Sequence, residues 1–220
     1  RGARTLSPDV RELTFDPGEG FTFVPGQWVS LRIPRGDTAE VIARSYSIAS
    51  WPRPDGMIDL AVTRVEGGPG SAFLHDAQVG TTLPMTEAAG FFVMPEEITR
   101  PALFVGTGTG VAPLRSMLHA ALSRGVRHPM ALLFGTRTRQ DILYAEEFTE
   151  TAARAANFHF APTLSRAGDD WAGRRGYVQS HVPELVAALG GACDVYVCGL
   201  NAMIREVRQV LKGDLGFTRE

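Results

Sequence analysis

The stretch Ala102-Leu103-Phe104-Val105-Gly106-Thr107-Gly108-Thr109-Gly110-Val111-Ala112-Pro113 decides how this chain folds. Its first four residues form a continuous apolar run, as expected of a strand covered on both faces. Glycines follow at once, and then Val111, Leu114, Leu118, Ala121 and Leu122 recur at helical spacing. A glycine-rich turn between a buried strand and a helix lets the backbone approach a pyrophosphate closely. The helix N-terminus adds unpaired N–H groups and the positive end of its dipole. Because the glycines alternate, the loop is neither a GxGxxG fingerprint nor a lysine-bearing GxxxxGK[ST] loop. Thr107, Gly108, Thr109 and Gly110 are the candidate phosphate contacts; the bland alternative is a glycine-rich turn that holds nothing.

Working outward toward the C-terminus, Met130-Ala131-Leu132-Leu133-Phe134 is a second buried strand and completes a βαβ unit. Val195-Tyr196-Val197-Cys198 is another, ahead of a helix whose apolar face is Met203, Ile204, Val207, Val210 and Leu211. The second half therefore reads as an open parallel α/β sheet. Toward the N-terminus the period changes from helical to two. Val10–Phe15, Trp28–Ile33 and Ile58–Thr63 alternate, with turn signals Asp16-Pro17-Gly18 and Pro54-Asp55-Gly56 between them. Six or so such strands predict a small antiparallel β-barrel, interrupted by one short helix from about Ser71 to Gln78. The expected boundary lies in Pro95–Arg100, giving a barrel domain over residues 1–97 and an α/β nucleotide-binding domain over 98–220.

Composition narrows the partners. A net charge of −2 provides no broad field for nucleic acid or an anionic membrane surface. No apolar run reaches the roughly 20 residues of a membrane span, and no signal peptide opens the chain, which predicts a cytoplasmic protein. Cys193 and Cys198 are too few for a disulfide framework, a zinc site or a cysteine-ligated cluster. The cations are almost all arginine, Lys212 being the one lysine, and arginine suits bidentate phosphate contacts. The chain opens on Arg1 and stops just after Phe217, which reads as part of something longer.

Two further segments can carry chemistry. In Arg44-Ser45-Tyr46-Ser47, residues two apart on a strand share a face roughly 7 Å apart. Arg44 can hold a phosphate, Tyr46 can lie flat on a planar ring, and Ser47 can offer a hydroxyl at the ring edge; a surface strand can also carry the tetrapeptide idly. Gly67-Gly68-Pro69-Gly70-Ser71 opens the short helix and offers a second phosphate seat, or an ordinary turn with Ser71 as N-cap.

In this order and spacing, these segments resemble the ferredoxin–NADP⁺ reductase superfamily over nearly the whole chain. Pro25-Gly26-Gln27 and Val197-Cys198-Gly199 look like two further family signatures. The resemblance implies FAD and a nicotinamide coenzyme as cofactors, and hydride transfer between them. It places Arg44 on the flavin pyrophosphate, Tyr46 against the isoalloxazine and Ser47 near its N5, with Ser45 alongside. Ala61, Val62 and Thr63 would line the rest of the flavin nucleotide, and Gly70, Ser71 and Ala72 would supply phosphate amides. Cys198 and Gly199 would stand beside the nicotinamide. Arg137 ends the second strand where an NAD site would carry an acid. With Ser165, Arg166, Arg175 and Tyr177, it favours NADP over NAD, which stays possible.

The implied acceptor is a small electron-transfer protein such as ferredoxin or flavodoxin, or a small molecule, and the implied state is a monomer. A free-flavin or quinone reductase, and a non-catalytic FAD-binding subunit of a larger complex, are the alternatives. Glu146 and Glu147 read as a solvated helix face, and the five histidines as satisfied or exposed. The chain ends at Glu220, before the tail that covers the flavin in many relatives, and it lacks the four cysteines of a fused [2Fe–2S] domain.

Overall fold

A computed structural model of the chain describes residues 1–36 and 40–218; Arg219 and Glu220, where the second domain was expected to end, lie outside the described residues. The chain opens with a hairpin, β1 (Gly2–Ser7) and β2 (Val10–Phe15). β3 (Trp28–Pro34) pairs antiparallel with β4 (Val41–Ser47), and β5 (Ile58–Thr63) pairs with β2. The two sheets, ordered β1-β2-β5 and β3-β4, meet through an Ile48–Leu60 bridge. Their alternate residues Val29, Leu31 and Ile33, with Ile58, Leu60 and Val62, fill one fully buried core. The period-two pattern thus has its cause in a one-sided core.

Among the described residues the barrel half has five strands, one short of the six or so expected. The segment around Leu83–Ala89 touches β3 only through single bridges, Leu31–Met85 and Trp28–Ala89. Pro84 has no N–H to give, and the Ser30 N–H donates to the Thr86 hydroxyl at 3.0 Å, so the ladder is interrupted. The helix α1 (Pro69–Asp76) starts two residues before the predicted point, with Gly68 as N-cap and Pro69 pre-setting the first turn. Its Leu74 closes the barrel core.

The second half runs β6 (Ala102–Thr107), α2 (Val111–Ser123), β7 (Met130–Thr136), α3 (Ala145–Arg154), β8 (Phe158–Leu164), β9 (Arg174–Arg175), α4 (Val182–Ala188), β10 (Asp194–Cys198) and α5 (Asn201–Gln209). All pairs are parallel, in the order β10-β6-β7-β8-β9. Phe104, Leu132 and Phe134 face α2 and α3, while Leu103, Val105 and Leu133 face α4 and α5. Burial on both sides explains the unbroken apolar runs. β8 escapes sequence reading because Pro162 sits inside it; there β8 has no partner on its outer side, since β9 pairs only with Thr163 and Leu164. The chain leaves β6 toward β7 on one side and returns to place β10 on the other. Their carboxyl ends therefore form a topological switch point, where open α/β sheets leave a crevice for ligands.

Candidate functional site

A cleft of about 1060 Å³ opens at that switch point and is walled on its far side by the barrel. From the sheet come Thr107, Gly108, Thr109 and Gly110, together with Cys198 and Gly199 at the end of β10. From the barrel come Ser45, Tyr46 and Ser47 of β4, and Ala61 and Thr63 of β5. The hydroxyls of Thr63 and Thr109 stand 3.5 Å apart across it.

The two loops on the sheet side are packed backbone to backbone. A Cβ on Gly110 would stand 2.5 Å from the Cys198 carbonyl oxygen, so only hydrogen fits there. Gly199 has φ +150° and a Cβ on it would meet the Thr107 hydroxyl oxygen, which accepts the Leu200 N–H at 3.2 Å. Gly108 has φ +53° and faces open space. Burial pushes the Cys198 thiol up, so at neutral pH it is an uncharged packing group rather than a thiolate. Tyr46 is half-buried, and burial likewise raises its phenol.

Not every predicted residue reaches this cleft. Val62 alternates into the barrel core and is fully buried, so only its main chain is available; its carbonyl oxygen lies 2.9 Å from His75 Nε2. Arg44 lies beside α1: its Nη1 donates to the Ala43 carbonyl at 2.8 Å, and its stem passes 3.4 Å from where a Cβ on Gly70 would be. Ser71 is not an N-cap. It sits in the first helical turn, where its hydroxyl donates to the Gly68 carbonyl at 3.0 Å and accepts the Val65 N–H at 3.0 Å. The Ala72 N–H donates to Gly68 at 3.0 Å within the helix. That leaves the amides of Gly70 and Ser71, beside Arg44, without an intrahelical acceptor.

At the far end of the cleft stand Arg137, Ser165 and Tyr177, the last 68% exposed. Arg166 lines an adjoining groove with Thr138, Arg139, Leu164 and Trp171. Arg175 turns away: its guanidinium donates to the carbonyls of Ala167, Gly168 and Trp171, the second of which also accepts the Trp171 N–H at 3.1 Å within the loop. Sequence reading missed Asp141, which also lines the cleft and accepts the Thr138 N–H and hydroxyl at 2.9 and 2.8 Å. The Thr138-x-x-Asp141 spacing of a capping box was the available signal. It also missed Ser7, Asp9 and Glu206, which carry no local signature.

Glu147 is not a solvated helix residue. It accepts two hydrogen bonds from Arg115, at 2.7 and 2.8 Å, and lies 2.8 Å from His119 Nε2. Burial opposes its ionisation, yet His119 and Arg115 outweigh that and pull the carboxyl down to about 2. His119, and His181 against Thr163 and Arg175, are satisfied as expected. Among the described residues no three potential metal ligands converge, and no helix is long and apolar enough to cross a membrane.

The donor set suits a flavin and a dinucleotide: a half-buried tyrosine face, free helix-start amides beside an arginine, and a glycine cradle that a Cβ would fill. Comparison with known proteins agrees. Residues 2–93 match the oxidoreductase FAD-binding domain, and residues 104–209 the oxidoreductase NAD-binding domain. Ferredoxin–NADP reductase B of Sorangium cellulosum is 46% identical over 99% of this chain and 91% of its own length. The toluate 1,2-dioxygenase electron transfer component of Pseudomonas putida is 32% identical over 86% of this chain, which spans only 54% of that protein. A Neisseria gonorrhoeae ferredoxin NADP⁺ reductase structure with bound FAD and NADP superposes with a TM-score of 0.85 at 21% identity, covering 99% of this chain and 90% of that one. A barrel and a parallel sheet sharing one cleft, two matched domains in order and a relative nearly half identical end to end place this chain in the ferredoxin–NADP⁺ reductase superfamily.

Proposed function

We propose that this chain takes hydride from NADPH onto FAD and passes the electrons to a small ferredoxin-like protein. One observation carries the reading: Tyr46 and Ser47 of the barrel share a single cleft with Thr107–Gly110 and Cys198–Gly199 of the parallel sheet. When bound, the flavin accepts hydride from the nicotinamide and can release the electrons singly. The chain's own work is to hold, orient and exclude. Arg44 and the free amides of Gly70 and Ser71 hold the flavin diphosphate, Tyr46 backs the ring, and Ser47 donates a hydrogen bond at its reacting edge. Ser45, Ala61 and Thr63 line the flavin side, with Val62 contributing main chain alone.

Thr107–Gly110 seat the coenzyme diphosphate at the start of α2. Neutral Cys198, with Gly199, packs beside the nicotinamide and keeps water out. Arg137, Ser165 and Tyr177 face the 2′-phosphate from within the cleft, and Arg166 reaches it from the adjoining groove. Arg175 acts on the loop at 167–171 instead. In this reading residues 1–97 form the flavin unit and 98–220 the coenzyme unit of a monomeric, cytoplasmic reductase. The names of the two relatives, a ferredoxin–NADP reductase and an oxygenase electron transfer component, favour an iron–sulfur protein over a quinone as acceptor.

The test is stopped-flow reduction of the FAD-loaded protein by NADPH. Wild type should bleach its flavin bands; Ser47→Ala should fold and retain FAD yet reduce ten- to hundredfold more slowly, roughly 1.4–2.8 kcal/mol of barrier. A colourless protein with no FAD affinity overturns the reading; a wild-type rate in Ser47→Ala removes that residue's role.

A further inference from the structure

Beneath the cleft floor lies a polar cluster that the proposed hydride step does not use. Its centre is Arg115, one turn into α2 and 3% exposed. The guanidinium makes its two bonds to Glu147 of α3 within its own half of the molecule. Its Nη1 crosses to the barrel and donates to the Ala49 carbonyl at 3.0 Å, with Asp59 and Glu12 at 3.6 and 3.9 Å. The ring of Tyr144 lies on it at 4.4 Å and that of Trp51 at 5.4 Å, while Trp51 stacks on His119 at 4.3 Å. The next residue repeats the crossing: the Ser116 hydroxyl donates to the Ser50 carbonyl at 2.5 Å.

Consecutive residues of α2 thus grip consecutive carbonyls of the barrel. Both ends of the grip lead directly to the cleft. Ala49 and Ser50 follow Ser47 by two and three residues. Arg115 and Ser116 follow Gly110 by five and six, roughly 8–9 Å along the helix. Burial opposes the charge of this cation, but Glu147, with Tyr144 and Glu12, more than offsets that cost and keeps it ionised. A buried arginine held by directional bonds to Glu147 and Ala49, with two rings against it, is fixed in orientation by those bonds.

We propose that Arg115, seconded by Ser116, is a positioning residue that sets the gap across which hydride passes, by pinning the coenzyme-bearing helix to the backbone just after Ser47. The proposal rests on the function argued above. It differs from a general stability role because it predicts selective loss of one step. Reactive geometry displaced by about 1 Å costs on the order of a hundredfold in rate.

The experiment compares wild type with Arg115→Lys, which keeps the charge but loses the bidentate fork, and with Ser116→Ala, which removes one crossing and leaves no buried charge unpaired. FAD-loaded Arg115→Lys should be reduced by NADPH ten- to hundredfold more slowly, and Ser116→Ala three- to tenfold more slowly. Reoxidation by ferricyanide of dithionite-reduced protein should be unchanged, because that path does not cross the gap. Calorimetry of the FAD-loaded proteins supplies a readout independent of turnover: one transition in wild type, and broadening or splitting in Arg115→Lys as the two halves uncouple, whereas a transition of unchanged width counts against the pin. If Arg115→Lys does not fold, Ser116→Ala decides alone. Folded variants with wild-type reduction rates overturn the proposal, as does equal slowing of reduction and reoxidation. A wild type that NADPH cannot reduce refutes the function itself instead.

Discussion

Gly110→Ala probes the cleft at its tightest point. Gly110 has φ −61° and ψ −14°, a conformation alanine adopts freely, so the substitution carries no torsional penalty. The new methyl would stand 2.5 Å from the Cys198 oxygen, 2.6 Å from its carbonyl carbon and 2.6 Å from the Gly199 Cα. Carbon contacts prefer about 3.5–4.0 Å, so the end of β10 must retreat by about 1 Å. All three obstacles are backbone, which cannot rotate aside. Overpacking of this kind costs about 1–3 kcal/mol, and at the N-cap of α2 alanine returns none of it. For a chain of this size the loss lowers Tm by roughly 2–12 °C.

The kinetic effect should be larger, because the displaced atoms flank the nicotinamide: about a hundredfold slower flavin reduction. Gly108→Ala is the internal comparison. Its φ of +53° costs alanine about 1–2 kcal/mol, yet nothing lies within 4 Å of the added methyl. It should lose similar stability while reduction slows by no more than about threefold, under 1 kcal/mol of barrier. Thermal unfolding with saturating FAD and stopped-flow reduction by NADPH measure the two quantities. If Gly110→Ala is reduced as fast as Gly108→Ala, the close approach of the two loops does not govern hydride geometry.

Arg44→Ala should weaken FAD binding by about ten- to a hundredfold in titration, the size of a charge-assisted phosphate contact; unchanged affinity would move the diphosphate elsewhere. Arg166→Ala should cut the kcat/KM preference for NADPH over NADH about tenfold or more, whereas Arg175→Ala should lower Tm and affect both coenzymes alike. A wild type that prefers NADH would refute the phosphate assignment. Glu147 has its folded value lowered, so its stabilisation is present above the ordinary carboxylate value and is lost as pH falls from 4.5 toward about 2. The shift corresponds to roughly 3 kcal/mol. Urea unfolding of wild type and Glu147→Gln should therefore show a gap at pH 6 that narrows by pH 3; a gap independent of pH would mean the carboxylate charge contributes nothing.

Much of this protein is legible in the chain because its signals are local. The strands Val10–Phe15 and Ile58–Thr63 form at their predicted limits, since a one-sided core imposes period two on any sequence that builds it. The run from Ala102 announces burial on both faces, and the glycines after it announce close backbone approach. Order and spacing of the short motifs were enough to indicate the superfamily.

Tertiary structure decided what depends on reach. Val62 and Thr63 are neighbours in sequence, yet strand alternation buries the first and presents the second to the cleft. Arg166 and Arg175 look alike as isolated cations; only the fold supplies the three carbonyls that hold one of them. Glu147 reads as surface on its own helix, and becomes half-buried because Arg115 and His119, 32 and 28 residues away, arrive beside it. A side chain's charge is written in the sequence, but its partner, its burial and hence its work are set by elements the local pattern cannot see.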